Sequence, residues 1–317
     1  MPRRILWAVC LLGFFSSTCV AQETVYEFLR LDRSARVAAL GGNSVSLKND
    51  IVAFFQNPAT LSNETHRDAS FSFQKQVLDI NAGFLAYGRR IDGVGDFGAG
   101  ISYVNYGTFD ETDNLGNKMG TFSANDLALQ IGYATQLETF QDVGELRGGV
   151  VFKYIFSNIS EYRSSALALD FGLLLIVPSE EMEIGFSVQH LGRQLVGYDS
   201  KTEDLPLDMR LAVTKRLEGL PLELTVGFIR LTDEADSFFG RFRNFTIGGE
   251  FTLSEAFRLR LGYNNWLRQN AKTDGSAGLA GLSAGLGIKY EQFSFDYAYS
   301  SWGVIGALHQ FTIGTAL

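Results

Sequence analysis

The sequence predicts an all-β protein, a closed transmembrane antiparallel β-barrel of about 14 strands with a plug-like segment at its N-terminus. Three observations lead to this prediction. The chain starts like an exported protein, it contains many strand-length segments in which apolar and polar residues alternate, and the connections between these segments alternate in length.

Residues 1–21 have the pattern of a secretory signal. Arg3 and Arg4 precede an apolar run over 5–15, and cleavage is expected after Ala21. A lipoprotein signal that uses Cys19 is the alternative. Both cysteines, Cys10 and Cys19, lie in this segment, so the mature chain is expected to have no disulfide and no thiolate site.

The segment 243–266 shows the alternation most clearly. Phe245, Ile247, Phe251 and the residues between them alternate apolar with polar up to a short turn at 254–256, and a second alternating run follows. Successive side chains of a strand point to opposite faces, so this is a hairpin with one apolar face, and each strand has about the 9–11 residues that cross a bilayer. Similar segments occur at 68–76, 79–90, 95–106, 122–136, 145–157, 164–177, 182–191, 206–217, 221–230, 243–253, 257–266, 279–290, 293–301 and 307–317.

The predicted connections separate into two classes. Those after even-numbered strands are mostly short, with a longer one of about eight residues after the fourth strand. Those after odd-numbered strands are mostly long: 107–121, 158–163, 192–205, 231–242, 267–278 and 302–306. Outer-membrane barrels have short periplasmic turns and longer outer loops, so this pattern predicts an outer-membrane location and contact with outer-membrane lipid.

Charge and composition limit the possible partners and predict how the lumen is filled. The net charge of −8 argues against nucleic acid as a partner. The polar parity of the strands carries both signs, and Glu250, Arg258 and Arg260 fall at similar depth on two paired strands. We therefore predict a charge network in the lumen, because buried charges need partners.

The part of the chain at 22–67 differs from the strands that follow. It contains a small, apolar, glycine-ended stretch at 34–42 and a predicted short helical turn around Pro58, which Asn57 would cap. We interpret 1–21 as signal peptide, 22–67 as a plug or hatch and 68–317 as the barrel. An N-terminal arm that extends the sheet is the alternative.

Motifs that would carry chemistry lack their context. Gly93, Gly95 and Gly98 match a dinucleotide-binding pattern, but a strand rather than a helix follows them. No histidine has a partner at metal-ligand spacing, and no serine has a neighbouring acid and histidine. We expect no cofactor and no catalytic residue.

Two groups of outer-loop residues are candidates for contact with a partner. Asp110, Glu111, Asp113 and Asn114 gather oxygen atoms in one loop, for which weak calcium binding is an alternative although the spacing of a calcium loop is absent. Phe238, Phe239 and Trp266 are candidate apolar anchors at the outer rim, with packing in the aromatic girdle as the alternative.

Four stretches resemble the PorV/PorQ family of type IX secretion barrels, within the FadL-like transporter group. They are 26–31 with 34–42, 55–61, 106–117 with 120–126, and 191–195. The resemblance implies a 14-stranded barrel, a plug motif at Asn57, Pro58 and Ala59, and docking of a surface protein such as PorZ through outer loops.

Two further functions stay open beside this docking role. A FadL-like channel or carrier would take small hydrophobic ligands, such as lipid or detergent in the lumen, and would use the N-terminal segment as a hatch. An outer-membrane hydrolase is the third possibility, although the sequence offers no residues for it.

Overall fold

The computed structural model describes residues 24–141, 143–199, 201–272 and 277–317, which form a closed barrel of 14 antiparallel strands. Consecutive strands pair, and β14 pairs with β1, so the barrel closes as predicted. The strands are β1 (Asp68–Lys75), β2 (Asn81–Ile91), β3 (Gly95–Thr112), β4 (Lys118–Phe140), β5 (Gly144–Ile159), β6 (Tyr162–Val177), β7 (Met182–Val196), β8 (Asp208–Arg216), β9 (Leu222–Phe228), β10 (Phe245–Thr252), β11 (Phe257–Asn264), β12 (Leu282–Tyr290), β13 (Phe293–Ser301) and β14 (Ala307–Ala316). The predicted fold is confirmed.

The alternation in the sequence becomes the two faces of the wall. Large apolar side chains on the outer face are solvent-accessible in the isolated chain, including Ile131, Leu286 and Ile313, while the intervening residues are buried. An accessible apolar belt around a closed barrel is what lipid covers. Among the described residues, no helix has the length and apolar character needed to cross a membrane.

The predicted loops are shorter than expected on one side of the barrel. The connections 107–121, 158–163 and 192–205 are largely strand: β3 and β4 pair up to Thr112 and Lys118, only 160–161 separate β5 from β6, and β7 continues to Val196. The turn between β4 and β5 has three residues rather than about eight. Strand pairing continues into these stretches, which were predicted as loops, because their backbone groups still pair with the neighbouring strand.

The N-terminal segment 24–67 lies inside the barrel. Its helices are short: α1 (Ala35–Ala39) and 3-10 helices at Glu27–Arg30, Ile51–Phe55, Pro58–Thr60 and Asn63–Thr65. Elsewhere, α2 (Asn265–Asn270) and 3-10 helices at Val77–Asp79, Pro178–Glu180, Phe238–Arg243 and Gly303–Ile305 lie in connections. The predicted signal peptide, 1–21, lies outside the described residues.

The segment spans the barrel lengthwise. At one end Thr24 forms a β-bridge with Asp204, in the connection after β7, and at the other end Arg67 leads directly into β1. The first residue of β1 and the last residue of β14 lie on the side of the short turns, which is the periplasmic side of outer-membrane barrels. The chain therefore enters the described fold at the outer mouth and leaves the segment at the periplasmic end.

A ring of inward-facing glycines receives the segment, and we call it the glycine belt. At these positions a Cβ atom would meet atoms of 24–67: at Gly149 the carbonyl carbon of Pro58, at Gly248 the carbonyl oxygen of Leu40. The belt consists of Gly88, Gly98, Gly100, Gly132, Gly149, Gly172, Gly185, Gly227, Gly248, Gly262 and Gly285. The segment thus packs directly against the backbone of the wall, which glycine alone permits.

Candidate functional site

The predicted plug motif is a turn wedged against the wall. Asn57 is fully buried and caps the 3-10 helix that follows it, because its Oδ1 accepts a hydrogen bond from the backbone N of Ala59 at 3.0 Å. Its Nδ2 donates to the carbonyl oxygen of Val45 at 2.6 Å and to that of Leu173, on β6, at 3.0 Å. Asn57 therefore ties two parts of the segment to each other and to the barrel wall.

The wall is thin where this turn touches it. On the lipid side lies an apolar groove of about 470 Å³, lined by residues that include Tyr133, Phe171 and Phe186. Between the groove and the turn stand the glycines Gly149 and Gly172, which have no side chains to thicken the wall.

The structure brings Glu250, Arg258 and Arg260 together in the lumen. Arg260 pairs with Glu250 at 2.5 Å, while the Nε of Arg258 is 3.9 Å from the same carboxylate. Arg260 also pairs with Asp296, on β13. The paired charges satisfy one another inside the barrel, where an isolated charge would be costly.

A third arginine belongs to this network and was not predicted from the sequence. Arg36, in α1, pairs with Glu250 at 2.9 Å, with Asp50 at 3.4 Å and with Glu223 at 3.5 Å. These contacts link the N-terminal segment to β9 and β10. The sequence does contain an indication of this role. Arg36 is the one charged residue in the small apolar stretch 34–42, and it needs an acidic partner once that stretch is buried.

A polar vestibule of about 500 Å³ opens beside this network toward the periplasmic end. Its lining includes Arg36, Glu250, Arg258 and Arg260, together with Lys289. The vestibule is thus a charged, water-accessible space rather than an apolar one.

A second cavity, of about 310 Å³, lies at the opposite end between the segment and the outer part of the wall. Its sides are largely apolar and include Phe28, Val104, Ile229, Trp302 and Leu308. Charged and polar side chains also line it, namely Glu27, Arg30, Asp32, Arg210, Arg230, Gln74, Gln76, Asn264, Ser283 and Ser300. We call this space the outer cavity.

Trp266, proposed as an outer-rim anchor, lines the outer cavity instead. It belongs to α2, and the guanidinium of Arg230 lies 4.1 Å from the centre of its ring. Arg230 pairs with Asp233 at 2.7 Å, and Arg30 of the N-terminal segment approaches Asp233 at 3.5 Å. These ionic contacts hold the segment against the connection 229–244 at the rim of the cavity.

The other two aromatic candidates lie outside the mouth. Phe238 and Phe239 are 68% and 79% exposed, on the 3-10 helix Phe238–Arg243, and their rings form an edge-to-face pair with centroids 5.5 Å apart. Their exposure distinguishes them from Trp266 and makes them accessible to a partner.

The acidic candidates lie at the end of the β3–β4 hairpin. Asp110 pairs with Lys118, and Glu111 pairs with Gly120 in the ladder. Both carboxylate oxygens of Asp113 are used within the turn, since they accept hydrogen bonds from the backbone N atoms of Leu115 and Asn117 and from the Asn117 side chain at 2.8–2.9 Å. These bonds lower the pKa of Asp113 below its ordinary value, the Asn117 side chain having the largest effect.

The structure provides no cluster for metal chemistry in the part of the chain it describes. The Nδ1 of His66 accepts from the backbone N of Arg90, and His309 contacts Tyr297, while His190 lies buried near Pro206. Gly93 and Gly95, both with positive φ, form the turn that leads into β3, as expected for a turn rather than a nucleotide site.

No protein-family model matches the sequence, and no curated protein matches it either. Solved structures share its fold. The Ralstonia pickettii toluene transporter TbuX is 12% identical, with a TM-score of 0.55, over 89% of this chain and 96% of that chain.

Two further structures give the same result. The Pseudomonas putida toluene transporter TodX is 13% identical over 89% of this chain and 96% of that chain, with a TM-score of 0.53. A Pseudomonas aeruginosa FadL homologue is 11% identical over 89% of this chain and 98% of that chain, with a TM-score of 0.52.

These likenesses establish the FadL-like barrel fold, and the protein is located in the outer membrane. The neighbours are described as transporters rather than enzymes. The resemblance to the PorV/PorQ family stays a prediction.

Proposed function

We propose that the protein is an outer-membrane carrier that admits small, mostly apolar ligands through the outer cavity and uses segment 24–67 as a hatch. The observation that supports this most is the apolar-sided outer cavity, bounded by the segment on one side and the wall on the other. Ligand sites typically combine apolar walls with polar groups that orient the ligand, and this cavity has both. Transport of toluene is stated for the neighbours TbuX and TodX and agrees with this proposal.

The path beyond the cavity is closed in this conformation. Phe54, Ala53 and Asn57 of the segment are completely buried, and the glycine belt brings the wall against them. A ligand can therefore pass only if part of the segment moves. The Asn57–Ala59 turn is the point at which we place this movement, because only glycines separate it from the lipid-side groove and a few hydrogen bonds hold it.

Tryptophan fluorescence gives a direct test of ligand entry. Of the three tryptophans, Trp7 lies in the predicted signal, and Trp266 and Trp302 both line the outer cavity. The apolar dye N-phenyl-1-naphthylamine should quench them in a saturable manner. Leu308→Gln, which places an amide in the apolar wall, should weaken dye binding about tenfold, or about 1.4 kcal/mol.

The control for this experiment is Leu220→Gln, in the exposed turn between β8 and β9. It makes the same chemical change away from the cavity and should leave dye affinity unchanged. Equal dye affinity of Leu308→Gln and the wild-type protein would contradict the proposal.

A second function, docking of a surface protein, is supported by the exposed pair Phe238 and Phe239. Aromatic side chains often dominate interface energy once a partner buries them. Replacing both with Ser should reduce recovery of a surface protein in native affinity purification. Leu279→Ser, at a residue that is also exposed and lies in another outer connection, should not. Unchanged recovery with the double variant would argue against this surface.

A further inference from the structure

The outer end of β7 has a free backbone edge. The last pair between β7 and β8 is Gln189 with Asp208, whereas the pairing of β7 with β6 continues to Val196. We call residues 191–196 the β7 edge. In the described part of the chain, its backbone receives one hydrogen bond besides that ladder, from the Oγ of Ser164 to the carbonyl oxygen of Val196 at 2.7 Å.

This edge is apolar and accessible. Leu191, Leu195 and Val196 are 51%, 45% and 55% exposed. β8 has nine residues, which suffices to cross the bilayer, so the part of β7 beyond Asp208 lies at or above the outer membrane surface. A long apolar edge in that position is a template for pairing with another strand.

Another free edge of the same barrel, that of β3, is protected. β3 continues over 106–112 beyond its last pair with β2, which joins Asn105 to Asn81. Asp110 and Glu111 place charges there, the register shifts after Asn105, and the backbone N of Gly107 is already bound by the Oδ1 of Asn105 at 2.7 Å. Charges and irregularities of this kind prevent edge pairing.

The β7 edge has fewer of these protections. Arg193 is its only charged residue, and its register against β6 shifts once, at Leu195, whereas the β3 edge has two charges and two register shifts. The contrast between two edges of one protein indicates that the β7 edge stays available for a reason, since an unprotected edge otherwise promotes aggregation.

We propose that the β7 edge binds an extended segment of another polypeptide, which adds to the wall as one more strand. The six residues offer a ladder about 20 Å long. The best segment would present apolar side chains beside Leu191 and Val196 and an acidic one beside Arg193, because these are the side chains that neighbour an added strand.

A second copy of this chain does not fit the edge. Two copies in the same membrane are related by a two-fold axis along the bilayer normal, so both β7 strands run outward. Such strands cannot form an antiparallel ladder, and in a parallel arrangement the two-fold axis sets identical backbone groups opposite each other, so that N–H meets N–H instead of C=O. Lipid does not fit either, because acyl chains offer no partners for backbone N–H and C=O groups.

This inference does not depend on ligand passage. The β7 edge is separate from the residues that line the outer cavity, and it differs from the Phe238–Phe239 surface. Dye binding therefore tests the proposed carrier function, and hydrogen exchange of the amides in 191–196 tests the proposed strand addition at the β7 edge.

Hydrogen exchange measured by mass spectrometry provides the test. The full-length protein is compared in outer membranes of cells that produce it naturally and after purification in detergent. We expect the amides of 191–196 to exchange at least tenfold more slowly in the membranes, with no such difference for 106–112. Equal exchange in both preparations would overturn the proposal.

Two treatments identify what covers the edge. Proteolytic shaving of intact cells should remove the protection if the cover is a polypeptide, and protection that survives with complete removal of surface proteins would assign it to lipid and overturn the proposal. Photo-cross-linking from position 196 should reach successive residues of one extended segment, and scattered cross-links to unrelated proteins would contradict it.

Variants separate the edge from general effects on the barrel. Leu191→Lys with Val196→Lys places charges on the β7 edge and should abolish the protection. The matched pair Thr108→Lys and Thr112→Lys, on the β3 edge, should preserve it. Heat-modifiable gel mobility shows whether each variant forms the barrel, and retained protection in a folded Leu191→Lys, Val196→Lys variant would overturn the proposal.

Discussion

Glu250 is the residue on which the interior charges converge. Its carboxylate accepts hydrogen bonds from Arg260, on the neighbouring strand, and from Arg36, in the N-terminal segment. One carboxylate therefore pairs with a buried and a partly buried arginine and joins the wall to the segment. Removing one partner of a buried pair is costly because the remaining charge loses its compensation.

We predict that Glu250→Gln lowers the free energy of unfolding by about 3–5 kcal/mol, the range for a broken buried ion pair. It should also weaken attachment of the segment to the wall and increase ion leakage in planar bilayers. Urea unfolding of the purified protein and single-channel conductance measure the two effects.

Glu180→Gln is the matched control. Glu180 also pairs with a cation, Lys215 at 2.9 Å, but it lies exposed in a periplasmic turn. Exposed pairs contribute little, so neither stability nor conductance should change. Wild-type stability of Glu250→Gln would show that the network is dispensable.

At the scale of elements, the β3–β4 hairpin ends in a turn whose shape depends on Asp113. Because its pKa in the folded protein is lowered, the ionised form stabilises the turn above the ordinary aspartate pKa of about 3.9. That contribution is lost as the pH falls through the lowered pKa.

We therefore expect the NMR amide signals of Leu115 and Asn117 to titrate together, with a midpoint below about 3.9. Asp113→Asn should abolish this titration, since the amide has no ionisable proton. A midpoint at or above the ordinary value would contradict the hydrogen bonds described for this turn.

The elements themselves were largely predictable, whereas their outer ends were not. Alternation over 243–266 placed β10 and β11 correctly, since lipid on one side imposes a strict two-residue period. The extensions of β3 and β4 lie beyond the lipid, where polar residues occur on both faces and that period weakens. In the extension of β7, a register shift at Leu195 interrupts the period. Their sequences, such as 107–121, are therefore indistinguishable from loop without their pairing partners.

The candidate site was predictable only in part for a related reason. Glu250 and Arg260 face each other on paired strands, so strand register alone brought them together. Arg36, the outer cavity and the true position of Trp266 depend on how a segment with only short helices packs inside the barrel, and no periodicity in 22–67 encodes this packing.

At the scale of the whole molecule, the carrier proposal requires the segment to move relative to the wall. Ser46, in the segment, and Thr214, on β8, are buried, and their hydroxyl oxygens are 2.8 Å apart. Ser46→Cys with Thr214→Cys places two thiols at this contact. The predicted mature chain has no other cysteine, so a disulfide could form only there.

We expect the oxidised double variant to bind N-phenyl-1-naphthylamine normally but to stop its release into liposomes, because the outer cavity stays intact while the hatch is fixed. Reduction should restore passage, and each single cysteine variant should behave like the wild-type protein. Equal passage in the oxidised and reduced forms would exclude movement at this contact.

The glycine belt also constrains the order in which the molecule is built. Segment 24–67 runs the length of the lumen, and the wall fits its backbone too closely for a finished barrel to be threaded afterwards. The wall must therefore assemble around the segment, with the β1–β14 seam formed after the segment is in place. The residues that close the lumen in the mature protein thus also serve as the template around which the barrel assembles.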